Sequence, residues 1–219
     1  MSIWNYWTKG GFASFNSGFS IHFSFLKSNN LSLGYSNQIV IKSMNLNLFD
    51  EKNYQIIGKN GAGKTTLMNF ISSNFDGTNF ESKVDRLKIS VNQISSTPTL
   101  IYDLTLEENL NYFTSDSSIS TEDKLNVVFK YIPRDYLDEK VKNFSSGMIR
   151  RVELSIIEIK NPSVFCIDEP LNFLDSEGVS LLTNLIKKRS SSSKCNILSS
   201  QEFVKLDDVD FEVIDLDEN

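Results

Sequence analysis

Cysteine and histidine are scarce in this chain. The two cysteines, Cys166 and Cys195, have neither metal-ligand spacing nor the pattern of a disulfide framework, which excludes a stapled scaffold and fits a reducing compartment. Cys166 lies in the apolar run Val164-Phe165-Cys166-Ile167, where a buried inert thiol is expected. The one histidine, His22, reads as a surface or packing residue. No stretch approaches the ~18 to 20 consecutive apolar residues of a membrane-crossing helix, so the chain is not expected to span a bilayer by itself. Against 28 Asp+Glu there are 22 Lys+Arg, a net charge of −6, so the broad basic footprint of a duplex-binding protein is missing and no nucleic-acid partner is expected. Internal repeats are absent. The 219 residues suit one α/β domain with a small insertion, or two tightly packed lobes sharing a core.

Acidic residues are also missing from the first 49 positions, an absence that chance would give about once in a thousand such chains. The segment is rich in Ser, Asn and aromatics: Trp4, Tyr6, Trp7, Phe12, Phe15, Phe19, Phe23 and Phe25. Acid-poor, Ser-rich leaders fit mitochondrial import, but this one has no Arg and its helical period is broken at Gly10-Gly11 and Gly18. The other reading is an aromatic docking arm over residues 1–30, with Trp4, Tyr6 and Trp7 against a membrane subunit or lipid headgroups.

What the chain does contain is a phosphate loop. Gly58-Lys59-Asn60-Gly61-Ala62-Gly63-Lys64-Thr65 has the spacing G-x-x-x-x-G-K-[ST], follows the strand-like run Tyr54-Gln55-Ile56-Ile57 and continues through Thr66. Glycines at such a turn let backbone N–H groups converge on a polyphosphate, while the helix expected from Leu67, Met68, Phe70 and Ile71 adds its positive end. Lys64 is expected to reach the β- and γ-phosphates and Thr65 to hold Mg²⁺. A second element, Val164-Phe165-Cys166-Ile167-Asp168-Glu169-Pro170, is an apolar strand ending in two acids. Asp168 is expected to help fix Mg²⁺, and Glu169 to polarise an attacking water.

Elsewhere, Leu31-Ser32-Leu33-Gly34-Tyr35 and the stretch from Ile39 to Leu48 alternate as half-buried antiparallel strands do. Leu87-Lys88-Ile89-Ser90-Val91 predicts a strand ending at Gln93, and a helical pattern runs from Leu104 to Ile159. A helix is predicted around Val179–Ile186, a turn at Ser190–Ser193, and closing strands at Cys195–Ser200 and Phe211–Asp215.

Between the two phosphate-handling elements lies Asn143-Phe144-Ser145-Ser146-Gly147-Met148-Ile149-Arg150-Arg151, which resembles the L-S-G-G-Q-x-x-R signature of ATP-binding cassette (ABC) proteins. Tyr35 matches the aromatic residue that stacks on adenine, Gln93 the Q-loop glutamine and Leu174-Asp175 the D-loop. Leu104-Thr105-Leu106-Glu107-Glu108-Asn109-Leu110 resembles the L-T-x-x-E-N-L segment. The likeness covers roughly residues 31–216, with five motifs in order. It implies a phosphate-loop (RecA-like) α/β core with an antiparallel β subdomain and an inserted helical subdomain over about 95–160, within a nucleotide-binding domain at 31–219. ATP and Mg²⁺ are the implied ligands, with Gln93 joining Thr65 and Asp168 at the metal and Glu169 and Gln201 at the hydrolytic centre. Two cassettes pair head to tail in this family, so that Ser145, Ser146 and Gly147 of one face the ATP of the other.

Two departures stand out. Gln201 occupies the position of the switch histidine; glutamine can donate a hydrogen bond to a γ-phosphate but can neither carry positive charge nor shuttle a proton, so slow hydrolysis is expected. The signature carries Met148 for glutamine and Ser146 for a glycine. The resemblance implies the ATPase subunit of a transporter with separate multi-span membrane subunits, peripheral on the ATP-containing face of a bacterial cytoplasmic or mitochondrial inner membrane. Short length and a brief C-terminus are similar to the haem-handling ATPase of cytochrome c maturation. The alternative is a catalytically weak, ATP-binding structural subunit of a larger membrane assembly. Soluble translation or repair cassettes usually carry two cassettes or a long coiled-coil insertion, and neither is present.

Overall fold

The computed structural model describes residues 24–36, 38–79 and 84–218. Two sheets organise it. In the first, β1 (Ser24–Tyr35) pairs antiparallel with β2 (Gln38–Phe49) on one side, and on the other with the short strands β4 (Thr78–Asn79) and β5 (Val84–Arg86). The second is parallel throughout. Its order is β6 (Val91–Ile94), β7 (Val164–Asp168), β8 (Cys195–Ser200), β3 (Tyr54–Ile57), β9 (Glu212–Asp215).

Every residue of β7 is buried, as expected of a parallel strand covered on both faces. Its side chains alternate between two cores. Phe165 and Ile167 join Leu198 and the helices on one face, while Val164 and Cys166 join Cys195, Ile197 and α1 (Lys64–Ser72) on the other. Burial pushes the Cys166 thiol up to about 12, so the sulfur is an inert packing atom.

The helical block contains α2 (Leu106–Phe113), α3 (Thr121–Val128) and α4 (Ser146–Lys160). Ile149, Val152, Ile156 and Ile159 fall on one face of α4, pack into the same core as Phe165 and Ile167, and so bind the lobe to the sheet. Thr105 and Glu108 form a reciprocal capping box at the start of α2. Buried Asn109 then accepts from Ile101 N at 2.8 Å and donates to the Ile101 and Thr105 carbonyls, which gives the T-x-x-E-N segment a structural explanation.

Three boundaries differ from expectation. The strand predicted from Leu87 begins only at Val91, because Leu87 and Ile89 close a tight turn (Ile89 N to Leu87 O, 3.1 Å). The helix predicted at Val179–Ile186 is α5 (Ser176–Ser191), and it consumes half of the serine run. Cationic Lys188 and Arg189 suit its last turn, and Ser190 Oγ donates to Asn53 at 3.1 Å. The arm boundary expected at residue 30 falls inside β1, where Phe25 and Leu26 are buried core residues; Phe25 is therefore no part of an exposed aromatic patch. The rest of the arm, including Trp4, Tyr6, Trp7 and His22, lies outside the described residues.

Candidate functional site: a phosphate loop and its acids

Gly58, Gly61 and Gly63 all take positive φ (152°, 87° and 102°), the conformations that carry the chain from β3 into α1. Gly63 is the N-cap of α1 and has no side chain to satisfy the first-turn N–H groups, which are left for an anion. The loop is also held from within. The buried Lys64 ammonium donates to the Gly58 carbonyl at 2.7 Å and the Lys59 carbonyl at 3.1 Å, and lies 3.9 Å from Glu169 Oε1. Lys59, Asn60 and Gly61 are exposed at the rim, Ala62 is half-buried and Thr66 is buried behind it.

Thr65 Oγ1 donates to Asp168 Oδ2 at 2.8 Å, so the hydroxyl and carboxylate expected to share a cation stand together. Mg²⁺ needs few protein oxygens because it retains water and binds substrate phosphates, so this pair fits it. The other Asp168 oxygen accepts from Ser199 Oγ, a partner the motifs do not mark. It arrives through sheet register, since Asp168 pairs with Ser199 across β7 and β8.

Glu169 follows with φ 51°, a left-handed conformation costly for a side chain of this size; such strain concentrates at functional sites. Its N–H donates to the Ser199 carbonyl at 3.0 Å, which holds the turn. Partial burial raises its carboxyl above the usual range, with nearby Lys64 opposing and Asp168 adding to the rise. A carboxylate so tuned is a better base towards water than an exposed one.

Gln93 stands elsewhere. The β6 residue Ile94 pairs with Ile167, so Gln93 sits two positions behind the level of Asp168. Its amide is bonded to the far end of α1: Oε1 accepts from Ser72 Oγ at 2.5 Å and Nε2 donates to Asn69 Oδ1 at 3.0 Å. The expected grouping of Gln93 with Thr65 and Asp168 is therefore not found, because the α1 partners hold its side chain away. Gln201 is exposed just beyond β8. Tyr35 is partly exposed and meets Phe75 edge-on at 5.4 Å, leaving ring surface for a base.

The signature residues form a second group. Ser145 is the N-cap of α4, accepting from Met148 N at 3.2 Å, and both it and Ser146 are exposed. The helix begins at Ser146, where no positive φ is required, so serine is tolerated in place of glycine. Gly147 is different: a Cβ there would come within 3.0 Å of the Phe173 carbonyl. Asp175 caps α5 by accepting from Gly178 N at 2.8 Å, and it also receives Arg151 Nη2 at 2.6 Å. Arg151 reaches Glu177 at 2.8 Å as well, a clamp on the signature helix that the motif reading left without a role. Asp175, the D-loop residue, thus has its carboxylate engaged within the chain. Residues 170–174 connect the two groups and expose Leu171 and Phe173, the latter 59% accessible at φ 67°.

Comparison with known proteins agrees with this geometry. Residues 41–172 match the family described as "ABC transporter". The lantibiotic transport ATP-binding protein SrtF of Streptococcus pyogenes is 31% identical over 183 residues, 80% of this chain and 79% of that protein. The cytochrome c biogenesis ATP-binding export protein CcmA of Shewanella frigidimarina is 26% identical over 186 residues, 81% of this chain and 86% of its own. A dimeric post-hydrolysis structure of the cassette MJ0796 bound to ADP and Pi superposes with TM-score 0.68 at 22% identity, over 81% of this chain and 88% of that one. With a family match over more than half its length, and a phosphate loop, paired acids and signature turn in place, the chain belongs to the ABC transporter family.

Proposed function

We propose that this chain binds Mg-ATP at Lys64, Thr65 and Asp168, pairs with a second cassette that closes over the nucleotide, and passes the resulting motion to a separate membrane-spanning subunit. The observation that carries the reading is the convergence of Thr65 on Asp168 and Lys64 on Glu169 at the mouth of a loop with uncapped N–H groups. In this reading, Lys64 exchanges the loop carbonyls for phosphate oxygens, and Ser145 with the Ser146 and Gly147 N–H groups faces the second cassette's nucleotide. Bound Mg²⁺ would neutralise charge between the phosphates, held by Thr65 and Asp168. Glu169 would orient and deprotonate water.

No helix of the described residues is long and apolar enough to cross a membrane, in keeping with a peripheral subunit on the ATP-containing face of a bacterial or mitochondrial membrane. A groove of about 250 Å³ lined by Ser72, Asn74, Gln93, Phe113, Ile156 and Lys160 lies where the sheet meets the helical lobe, and is the surface we assign to the membrane subunit. Transport of haem rests on likeness to the cytochrome c biogenesis relative at 26%, and the lantibiotic transport relative at 31% supports a different cargo as strongly. Exposed Gln201, in place of a histidine, favours a second reading in which ATP binding outlasts hydrolysis and the subunit acts as a slow clamp.

Nucleotide titration tests the assignment. Lys64→Ala, which removes the cation from the cradle, is expected to abolish binding, and Glu169→Gln, which leaves cradle and Asp168 intact, to retain it. Equal loss in both variants contradicts these roles.

A further inference from the structure

One charged pair on the signature helix grips both ends of the loop that follows Gln93. Arg150 and Glu153, one turn apart on α4, are 2% and 3% exposed and meet at 3.0 Å. The same Arg150 Nη1 donates to the Ser95 carbonyl at 3.0 Å. Glu153 Oε1 accepts from Thr99 N at 3.0 Å and from Thr99 Oγ1 at 3.4 Å. Within the loop Ser95 Oγ closes on the Thr97 carbonyl at 2.6 Å, so the ends are joined by a short, internally braced path.

The two ends of this linkage matter. Ser95 follows Ile94, the partner of Ile167, and therefore stands level with Asp168 at the cation-facing edge of the sheet. The helix that carries Arg150 and Glu153 starts at Ser145, the signature serine. Two side chains thus span from the strand edge level with Asp168 to the helix that begins at the signature turn.

Packing does not require charge here. Ile149, Val152 and Ile156 already bind α4 to the core, and a buried ion pair can often be replaced by apolar residues of similar volume without loss of stability. Burial raises the Glu153 carboxyl, while Thr99 and Arg150 counteract that rise. What the pair supplies and an apolar pair would not is directional attachment of α4 to loop backbone at two points.

We propose that Arg150 and Glu153 are positioning residues that make loop 95–99 and the start of α4 move as one unit, so that ATP on this chain's phosphate loop orients the signature turn presented to the second cassette. The proposal rests on the nucleotide-binding function proposed above and adds the route between the two faces.

Amide hydrogen exchange with and without Mg-ATP tests it in the full chain. Arg150→Met with Glu153→Gln cuts the Ser95 attachment, while the glutamine oxygen can still accept from Thr99 N. In the unaltered protein, Mg-ATP is expected to slow exchange at 95–99 and at 145–149, the latter by about fivefold or more, the usual lower size of a coupling between sites. In the double variant ATP affinity and the slowing at 95–99 persist, and the slowing at 145–149 disappears. Should that variant not fold, Arg150→Met with Glu153→Leu takes its place in the same measurement. Undiminished slowing at 145–149 in the folded variant overturns the proposal, as does its absence in an unaltered protein that binds ATP. Failure of the unaltered protein to bind ATP shows in the titration and sinks the functional reading instead.

Discussion

Replacing Gly63 and Gly61 by alanine separates two costs that the phosphate loop avoids by using glycine. Both positions have positive φ, 102° and 87°, so either alanine incurs a backbone penalty of about 1–2 kcal/mol. Their surroundings differ. A Cβ at Gly63 would lie 3.0 Å from both Val40 Cγ1 and Ile41 Cγ1, whereas nothing lies within 4 Å of one at Gly61. Ile41 is buried in the core beneath the loop, so its side chain has little room to yield, and overpacking of this kind costs about 1–3 kcal/mol more. The expected losses are therefore ~1–2 kcal/mol for Gly61→Ala and ~2–5 kcal/mol for Gly63→Ala, the latter a large fraction of the ~5–15 kcal/mol that holds a domain together. Urea denaturation of each variant without nucleotide measures the difference directly from the shift in midpoint at constant slope. Equal losses at the two glycines, or a Gly63→Ala variant within ~0.5 kcal/mol of the unaltered protein, would refute the argument that β2 supports the loop from below.

Three further outcomes are expected. Phosphate release by the purified protein is slow, and Gln201→His raises it; a rate that does not respond to the substitution places the switch function at another residue. Because burial holds the Glu169 carboxyl above its ordinary 4.5, hydrolysis falls as pH drops through that raised value, and an acid limb centred at or below 4.5 in the pH–rate profile contradicts its use as base. A chain lacking residues 2–27 loses Phe25 (1% exposed) and Leu26 (0%) from the core, and is expected to be less stable by ~3–6 kcal/mol than one lacking residues 2–23, read from their denaturation midpoints.

How much of this molecule is legible in its sequence depends on how far apart the cooperating residues lie along the chain. The phosphate loop is contiguous, and its glycines, Lys64 and Thr65 do their work within one turn, so their order alone identifies them. The paired acids are legible because an apolar run of four buried residues, Val164 to Ile167, has to end somewhere, and Asp168 ends it. Ser199 is different: it bonds Asp168 only because β8 lies beside β7 in one register, and a hydroxyl in the run Ile197-Leu198-Ser199-Ser200 looks like any other strand serine. The contacts of Gln93 are hidden for the opposite reason. Its motif is clear, but the motif says nothing of Asn69 and Ser72 on α1, which compete for the same amide. The start of β1 was hidden by its bulges. Register shifts between Ser24 and Leu26 and again between Ser28 and Leu31 break the two-residue period, so consecutive Phe25 and Leu26 are both buried where alternation would expose one. Arg150 and Glu153 look like an exposed i,i+3 pair on an amphipathic helix until the lobe folds back over β6 and buries both, and only then does their charge have loop backbone to hold. Residue order thus specifies the chemistry done within one segment, while the chemistry that links segments is set by register and packing.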